Sequence, residues 1–289
     1  MDIILYIIVS LIIVRLLLSF IAAPIMLHAK EQMHARPRFD LFDPNSLPRD
    51  KAEYFAAKLQ LLEKEGFEPL NFVSWESHEN RRILFALAVH RKNRDSAIIA
   101  LATSGIDKKP LEIRYTEFSA VFTDGSEICS SNNPLPDVLK QIYKKKVFSF
   151  PQVKDLHHLY ILHRRLTARF ALGKEAVLPP NGKEIQALEL STARSVERQV
   201  AAGYFRSDEK GEILRPTWKG AFFMSWKLAW PLGFIRSIFY RKKINTLIRQ
   251  LLVSDTKSEN TPAPRIISEQ IIEKKEEAAE KKTGTEAEG

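Results

Sequence analysis

Ile83-Leu84-Phe85-Ala86-Leu87-Ala88-Val89-His90 is a short apolar run, and Ala97-Ile98-Ile99-Ala100-Leu101-Ala102 is a second. Apolar stretches of about four to eight residues between turn-forming ones read as strands. Leu70–Trp75 precedes them with the same character. Ile113–Thr123 follows, alternating Ile113 and Tyr115 with polar neighbours, and Asp124-Gly125 turns it into Ser126–Ser130. Upstream, Pro48 opens a helix through about Glu65. Its apolar residues Tyr54, Phe55, Leu59 and Leu62 recur at three and four, and Gly66 supplies a stop. A helix followed by four or five largely antiparallel strands predicts an α+β domain over 48–150. The strand, glycine loop and helix alternation of a doubly wound nucleotide-binding fold is not present.

Beyond Pro134 the pattern turns helical. Leu135–Tyr143 reads as a short helix, and Val153–Leu172 as a longer one with a stripe of Leu156, Leu159, His163, Leu166 and Phe170. Pro179-Pro180-Asn181-Gly182 marks a break. Then come a helix over Glu184–Ala202 ended by Gly203, a short hairpin over 204–216, and further helices from Thr217 and from Leu232 to Leu252. Residues 151–253 are thus expected to form a helical unit. The tail 254–289 is Pro-interrupted and rich in Glu, Lys and Ala, which predicts a disordered or folding-on-binding segment.

The N-terminus carries another kind of signal. From Ile3 to Leu27, 21 of 25 residues are apolar; the exceptions are Ser10, Arg15, Ser19 and Pro24. As a helix the segment is roughly 37 Å long, enough for a hydrocarbon core of about 30 Å. A basic n-region and a small-x-small cleavage site are both missing, so an uncleaved anchor over 1–28 is expected rather than a signal peptide. Arg15 near mid-span costs on the order of 2.5–3.5 kcal/mol on insertion scales, which the surrounding Leu and Ile offset. Lys30, Arg36, Arg38, Arg49 and Lys51 all lie on the C-terminal side. Positive-inside therefore predicts a short outer N-terminus and a cytoplasmic body, at a bacterial inner membrane or a plasma membrane. Residues 29–47, with Pro37 and Pro44, read as a linker.

The 289 residues carry 44 Lys and Arg against 35 Asp and Glu, a net +9. The tail holds six basic and nine acidic residues, so residues 1–253 carry +12. Cys129 is the sole cysteine, which excludes an intramolecular disulfide and any multi-cysteine metal site. Asp155, His157, His158 and His163 form the most metal-like cluster. On a helix, however, His163 diverges from His158 by about 140° and from His157 by about 120°, so they do not share a face. His163 falls in the apolar stripe and is expected to be a core histidine. The pair Asp124 and Glu127 is explained by the turn. No nucleophile elbow, phosphate loop, His-Glu-x-x-His or dinucleotide fingerprint occurs, so no catalytic residue, metal or cofactor is assigned.

Residues 184–224 carry a resemblance. The run Val196-Glu197-Arg198-Gln199-Val200-Ala201-Ala202-Gly203-Tyr204-Phe205-Arg206 resembles a recognition-type helix entering a wing, closed at Asp208-Glu209-Lys210-Gly211. Thr217-Trp218-Lys219-Gly220 is similar to the step opening the next helix in many bacterial winged-helix domains. The resemblance covers about 40 residues. It implies major-groove insertion of a helix with phosphate contacts from the wing, for which Arg194, Arg198, Arg206 and Lys210 are suitably placed. Glu189 and Glu197 on the same helix would repel phosphate, and many winged helices contact protein instead.

Three of the four tryptophans, Trp218, Trp226 and Trp230, lie within thirteen positions, among Lys219, Lys227, Phe222 and Phe223. Arg236, Arg241, Lys242, Lys243 and Arg249 follow. Aromatic and basic residues together suit a membrane interface, with rings at headgroup depth and cations against anionic lipid. Trp218, Trp226, Trp230, Lys227, Arg236, Arg241, Lys242 and Lys243 are therefore the candidate interface residues, within a basic aromatic segment spanning 217–249. The competing reading is a core helix with basic surface positions. The sequence favours a non-catalytic membrane-anchored interaction or assembly protein, partnered by lipid and by a protein. The alternatives are a membrane-tethered nucleic-acid binder and an enzyme built from scattered residues such as His90, His157, His158 or Cys129.

Overall fold

The structure, a computed structural model, describes residues 2–77, 81–104, 111–135, 137–139, 144–229 and 231–258. The chain opens on helix α1 (Asp2–Leu17), continues through a π turn at Leu18–Ala22 and ends as α2 (Ala23–Lys30). The π turn has a local cause. Pro24 has no N–H for the carbonyl four residues back and its ring crowds that carbonyl, so the turn before it widens. One helix among the described residues, Ile3–Lys30, is long and apolar enough to cross a membrane.

Two short strands follow, β1 (Met33–His34) and β2 (Asp40–Leu41), and then α3 (Arg49–Lys64). The large sheet comprises β2, β3 (Glu68–Ser77), β4 (Arg81–His90), β5 (Asp95–Ser104), β6 (Leu111–Phe122), β7 (Glu127–Ser131) and β8 (Lys145–Ser149), in that spatial order, with β9 (Ala176–Val177) also paired to β6. Neighbours are antiparallel except β7 and β8, which run parallel. Pro69 sits at a bulge in β3, where its missing N–H breaks no ladder bond.

Both faces of the central strands are covered, which is why β4 reads as a continuous apolar run instead of an alternating one. On one face, Ala86, Ala88 and Ala97 are small enough for helices to approach closely. There α3 and α4 (Leu156–Ala171) bury Phe55, Leu62, Phe67, Phe118, Leu159 and Leu166. Rings of Phe67, Phe118 and Tyr160 meet at 4.9–5.5 Å. On the other face, Val73, Phe85, Leu87 and Ile98 pack with Phe39 and with Ile185 and Leu188 of α5 (Glu184–Ala201).

A small sheet of order β1-β11-β10 follows α5, built from β10 (Phe205–Ser207), β11 (Ile213–Pro216) and the distant β1. Thr217 then caps α6 (Trp218–Leu228), and α7 (Leu232–Ser258) follows. Residues Met1–Asn245 form one unit and the chain from Thr246 a second.

The fold is thus a mixture of helices and sheet behind an N-terminal apolar helix. Three details depart from expectation. The supposed linker supplies β1 and β2, two-residue edge strands held by backbone pairing that need no apolar period. Asp137–Leu139, within the short helix expected over 135–143, is not helical, and 136 and 140–143 lie outside the described residues; β8 follows at once, its Lys-Lys start hiding a strand. Residues 254–258 continue α7, while 259–289 lie outside the described residues.

Candidate membrane interface

Residues 16–30 of the N-terminal helix do not stand free. Leu16, Ser19, Phe20, Ala23, Pro24, Leu27 and His28 recur at three and four along one stripe, and with Ala22 they are the positions partly or fully withdrawn from solvent. The stripe packs on α6. His28 donates from Nδ1 to Pro216 O at 2.8 Å, and its ring stacks on Trp218 at 4.0 Å. Leu27 reaches the cluster of Val196, Tyr204, Phe205, Leu214 and Met224. Ile3–Arg15, thirteen residues, is exposed throughout.

Thr217 and Gly220 seat α6. Thr217 Oγ1 accepts from Gly220 N at 3.0 Å, the usual cap of a first helical turn, and donates to Gly203 O at 2.6 Å. A Cβ on Gly220 would lie 2.0 Å from Tyr204 O, so the glycine lets the helix lie directly on the hairpin backbone. The opposite side of α6 is a ridge of Trp218, Phe222 and Trp226 at i, i+4 and i+8, and it is exposed; Trp218 is 59% accessible. On α7, Phe234, Ile235, Ile238 and Phe239 are exposed as well, with Phe239 at 66%. Exposed large apolar residues clustered on a helix in this way mark a contact surface.

The expected interface residues divide. Trp218 and Trp226 lie on the ridge, and Arg236, Arg241, Lys242 and Lys243 are exposed on α7. Lys227 is half-buried instead: its Nζ donates to Val138 O at 2.8 Å and Leu139 O at 2.6 Å. Burial, aided by nearby Arg236, lowers its pKa. Trp230 lies outside the described residues. His28 and Phe222 were not singled out by sequence, although Phe222 stands four residues from each flanking tryptophan.

Residues 184–224 form α5, the β10–β11 hairpin and the start of α6. Arg194 and Arg198 are exposed on α5, but Glu197 and Leu190 share that exposed face. Arg206 faces Arg215 across the hairpin, and Lys210 lies at its turn. Glu189 accepts from Phe39 N at 3.1 Å.

The scattered polar residues do not converge. His157 and His158 are exposed, beside Glu65 at 2.7 Å and Asp155 at 3.1 Å. His90 sits by Phe67 and Asn93. Cys129 is buried, and burial, reinforced by Glu127, raises its thiol pKa well above the ordinary range, opposite to what a nucleophile requires. Asp124 accepts from Ser126 within its turn and meets Lys174 at 3.0 Å. Sequence inspection missed an arrangement resembling a catalytic triad: Ser130 Oγ lies 2.8 Å from His163 Nδ1, and His163 Nε2 is 3.7 Å from Asp95 Oδ1. All three are fully buried, so the hydroxyl is out of reach of substrate. Asp95 also accepts from Tyr160 and Arg164, each at 3.0 Å, and the network ties α4 to β5 and β7. Among the described residues no group of three His, Cys, Asp or Glu could hold a metal ion.

A scan against protein-family models finds no match, nor do searches of curated proteins and of solved structures.

Proposed function

We propose that this is a single-pass membrane-anchored, non-catalytic interaction or assembly protein whose body lies on the cytoplasmic surface of the membrane. The carrying observation is the exposed ridge of Trp218, Phe222 and Trp226 on α6, the helix that packs on residues 16–30, together with the exposed apolar residues of α7. The length of the apolar helix argues for docking. The exposed part, Ile3–Arg15, is roughly 20 Å long at 1.5 Å per residue, short of a hydrocarbon core of about 30 Å. A full span therefore draws the packed half of the helix, and α6 with it, into the near leaflet. That places the Trp218, Phe222 and Trp226 ridge about 5–10 Å deep, where amphipathic helices settle. Arg236, Arg241, Lys242 and Lys243 then meet anionic headgroups, at about 1 kcal/mol per cation. Lys30 at the end of the helix and Arg36 and Arg38 beyond it favour the cytoplasmic side.

Full-length protein reconstituted in vesicles of anionic lipid with brominated acyl chains tests the docking. Tryptophan fluorescence should be quenched, and the joint change Trp218→Phe and Trp226→Phe should remove most of that quenching. Quenching that persists unchanged in the double variant would overturn the reading.

A second reading, a membrane-tethered nucleic-acid binder, draws on the facing pair Arg206 and Arg215. It requires duplex DNA binding that survives near-physiological salt and weakens when Arg194 and Arg198 are both changed to Ala.

A further inference from the structure

Between α5 and the face of the sheet opposite α3 and α4 lies a cavity of about 330 Å³. Its floor changes character from strand to strand. Cross-strand pairing places Leu87 of β4 beside Ile98 of β5, Ile98 beside Glu117 of β6, and Glu127 of β7 beside Lys145 of β8. The floor is thus apolar under β4 and β5 and charged from β6 to β8, and Leu188 of α5 roofs it.

The charged end is unbalanced. Lys145 Nζ donates to Glu127 Oε1 at 3.0 Å, and Cys129 Sγ donates to the same oxygen at 3.0 Å. Burial opposes the charge on Lys145, but Cys129, Glu127 and Glu117 outweigh it and raise its pKa, so it stays an ammonium. Glu117 shares that one cation: burial pushes its carboxyl up, and the pull of Lys145 and a hydrogen bond from Cys129 do not offset it. Counting Glu184, three lining carboxyls stand against one lysine.

We propose that this cavity binds an amphipathic amine, its apolar body held between Leu87, Ile98 and Leu188 and its ammonium received by Glu117. Such a ligand supplies a second cation where three carboxyls share one lysine, and covers the apolar floor at the same time. A carboxylate-headed molecule would meet like charge, and an alcohol would leave Glu117 uncompensated. The volume, at the small end of the roughly 300–1,000 Å³ usual for ligand sites, suits a single ring or short chain. The site is independent of how the body meets the membrane.

Phenethylammonium, 2-phenylethanol and 3-phenylpropionate differ chiefly in their head groups, and calorimetric titration of each into full-length protein in nanodiscs, against empty nanodiscs, tests the assignment. The ammonium should bind, the alcohol at least about tenfold more weakly, and the carboxylate not measurably. Glu117→Gln should weaken the ammonium about tenfold without lowering the thermal midpoint, and Ala187→Phe, which fills the cavity from α5, should abolish binding. Absence of ammonium binding, equal affinity for ammonium and alcohol, or an unchanged affinity in Glu117→Gln would each overturn the proposal.

Discussion

Glu117 is where local chemistry and pH meet. Its carboxyl is pushed above its ordinary 4.5, chiefly by burial and further by Glu127, with Lys145 acting the other way. For an acid whose folded pKa is raised, the folded chain holds its proton after the unfolded chain has released one. Stability is then unaffected well below 4.5 and falls as pH rises through that value toward the folded pKa. Glu117→Gln removes this loss. Thermal midpoints of the two proteins should therefore favour the variant more at pH 7 than at pH 4, and a difference that is constant or reversed with pH would contradict the assignment. The sequence showed little of this. Glu117 stands among Tyr115, Phe118 and Ser119 with nothing to separate it from a surface glutamate, because its burial depends on α5, some seventy positions away. His163 was more legible, since its place in an apolar stripe marks a core residue; its bond to Ser130 depends on strand pairing that no local pattern reveals.

Among the elements, α6 depends most on a single contact. Gly220→Ala would drive a methyl into the Tyr204 carbonyl, and backbone cannot yield as a side chain end can. The helix would have to lift from the hairpin, at a cost of about 3 kcal/mol. Gly125→Ala meets nothing within 4 Å and suffers only from its φ of +72°, so about 1 kcal/mol is expected. Denaturant midpoints of the two variants check the contrast. Elements with strong local patterns were readable: β3 to β7, α3, α4, α5 and the hairpin lie within a few residues of where periodicity and turn chemistry put them. The elements that escaped, β1, β2, β8 and β9, are short strands that exist because a neighbouring edge accepts their backbone. Pairing of that kind leaves no apolar period to read.

At the scale of the molecule, the N-terminal helix serves two purposes, and truncation separates them. Removing residues 1–15 takes away the exposed stretch Ile3–Arg15 and should leave the thermal midpoint of the remainder unchanged. Removing 1–30 also uncovers the α6 face, with the loss of Leu27 packing and the His28 bond to Pro216. That loss is about 3 kcal/mol, or on the order of 10 °C in thermal midpoint. Equal midpoints for the two truncations would refute the packing role. Sequence showed the length and apolarity of this helix plainly; it did not show that half of it belongs to the body, since a leucine packed on protein and an exposed one look alike. The π turn at Leu18–Ala22 adds a geometric consequence. With the helix keyed to α6 below the turn, Arg15 above it points along one compass bearing relative to the body. One residue more or fewer in that turn would swing the bearing by about 100° while leaving the α2 part of the seat on α6 in place. Whatever meets Arg15 does so from a single side, as a weathervane locked to its mast.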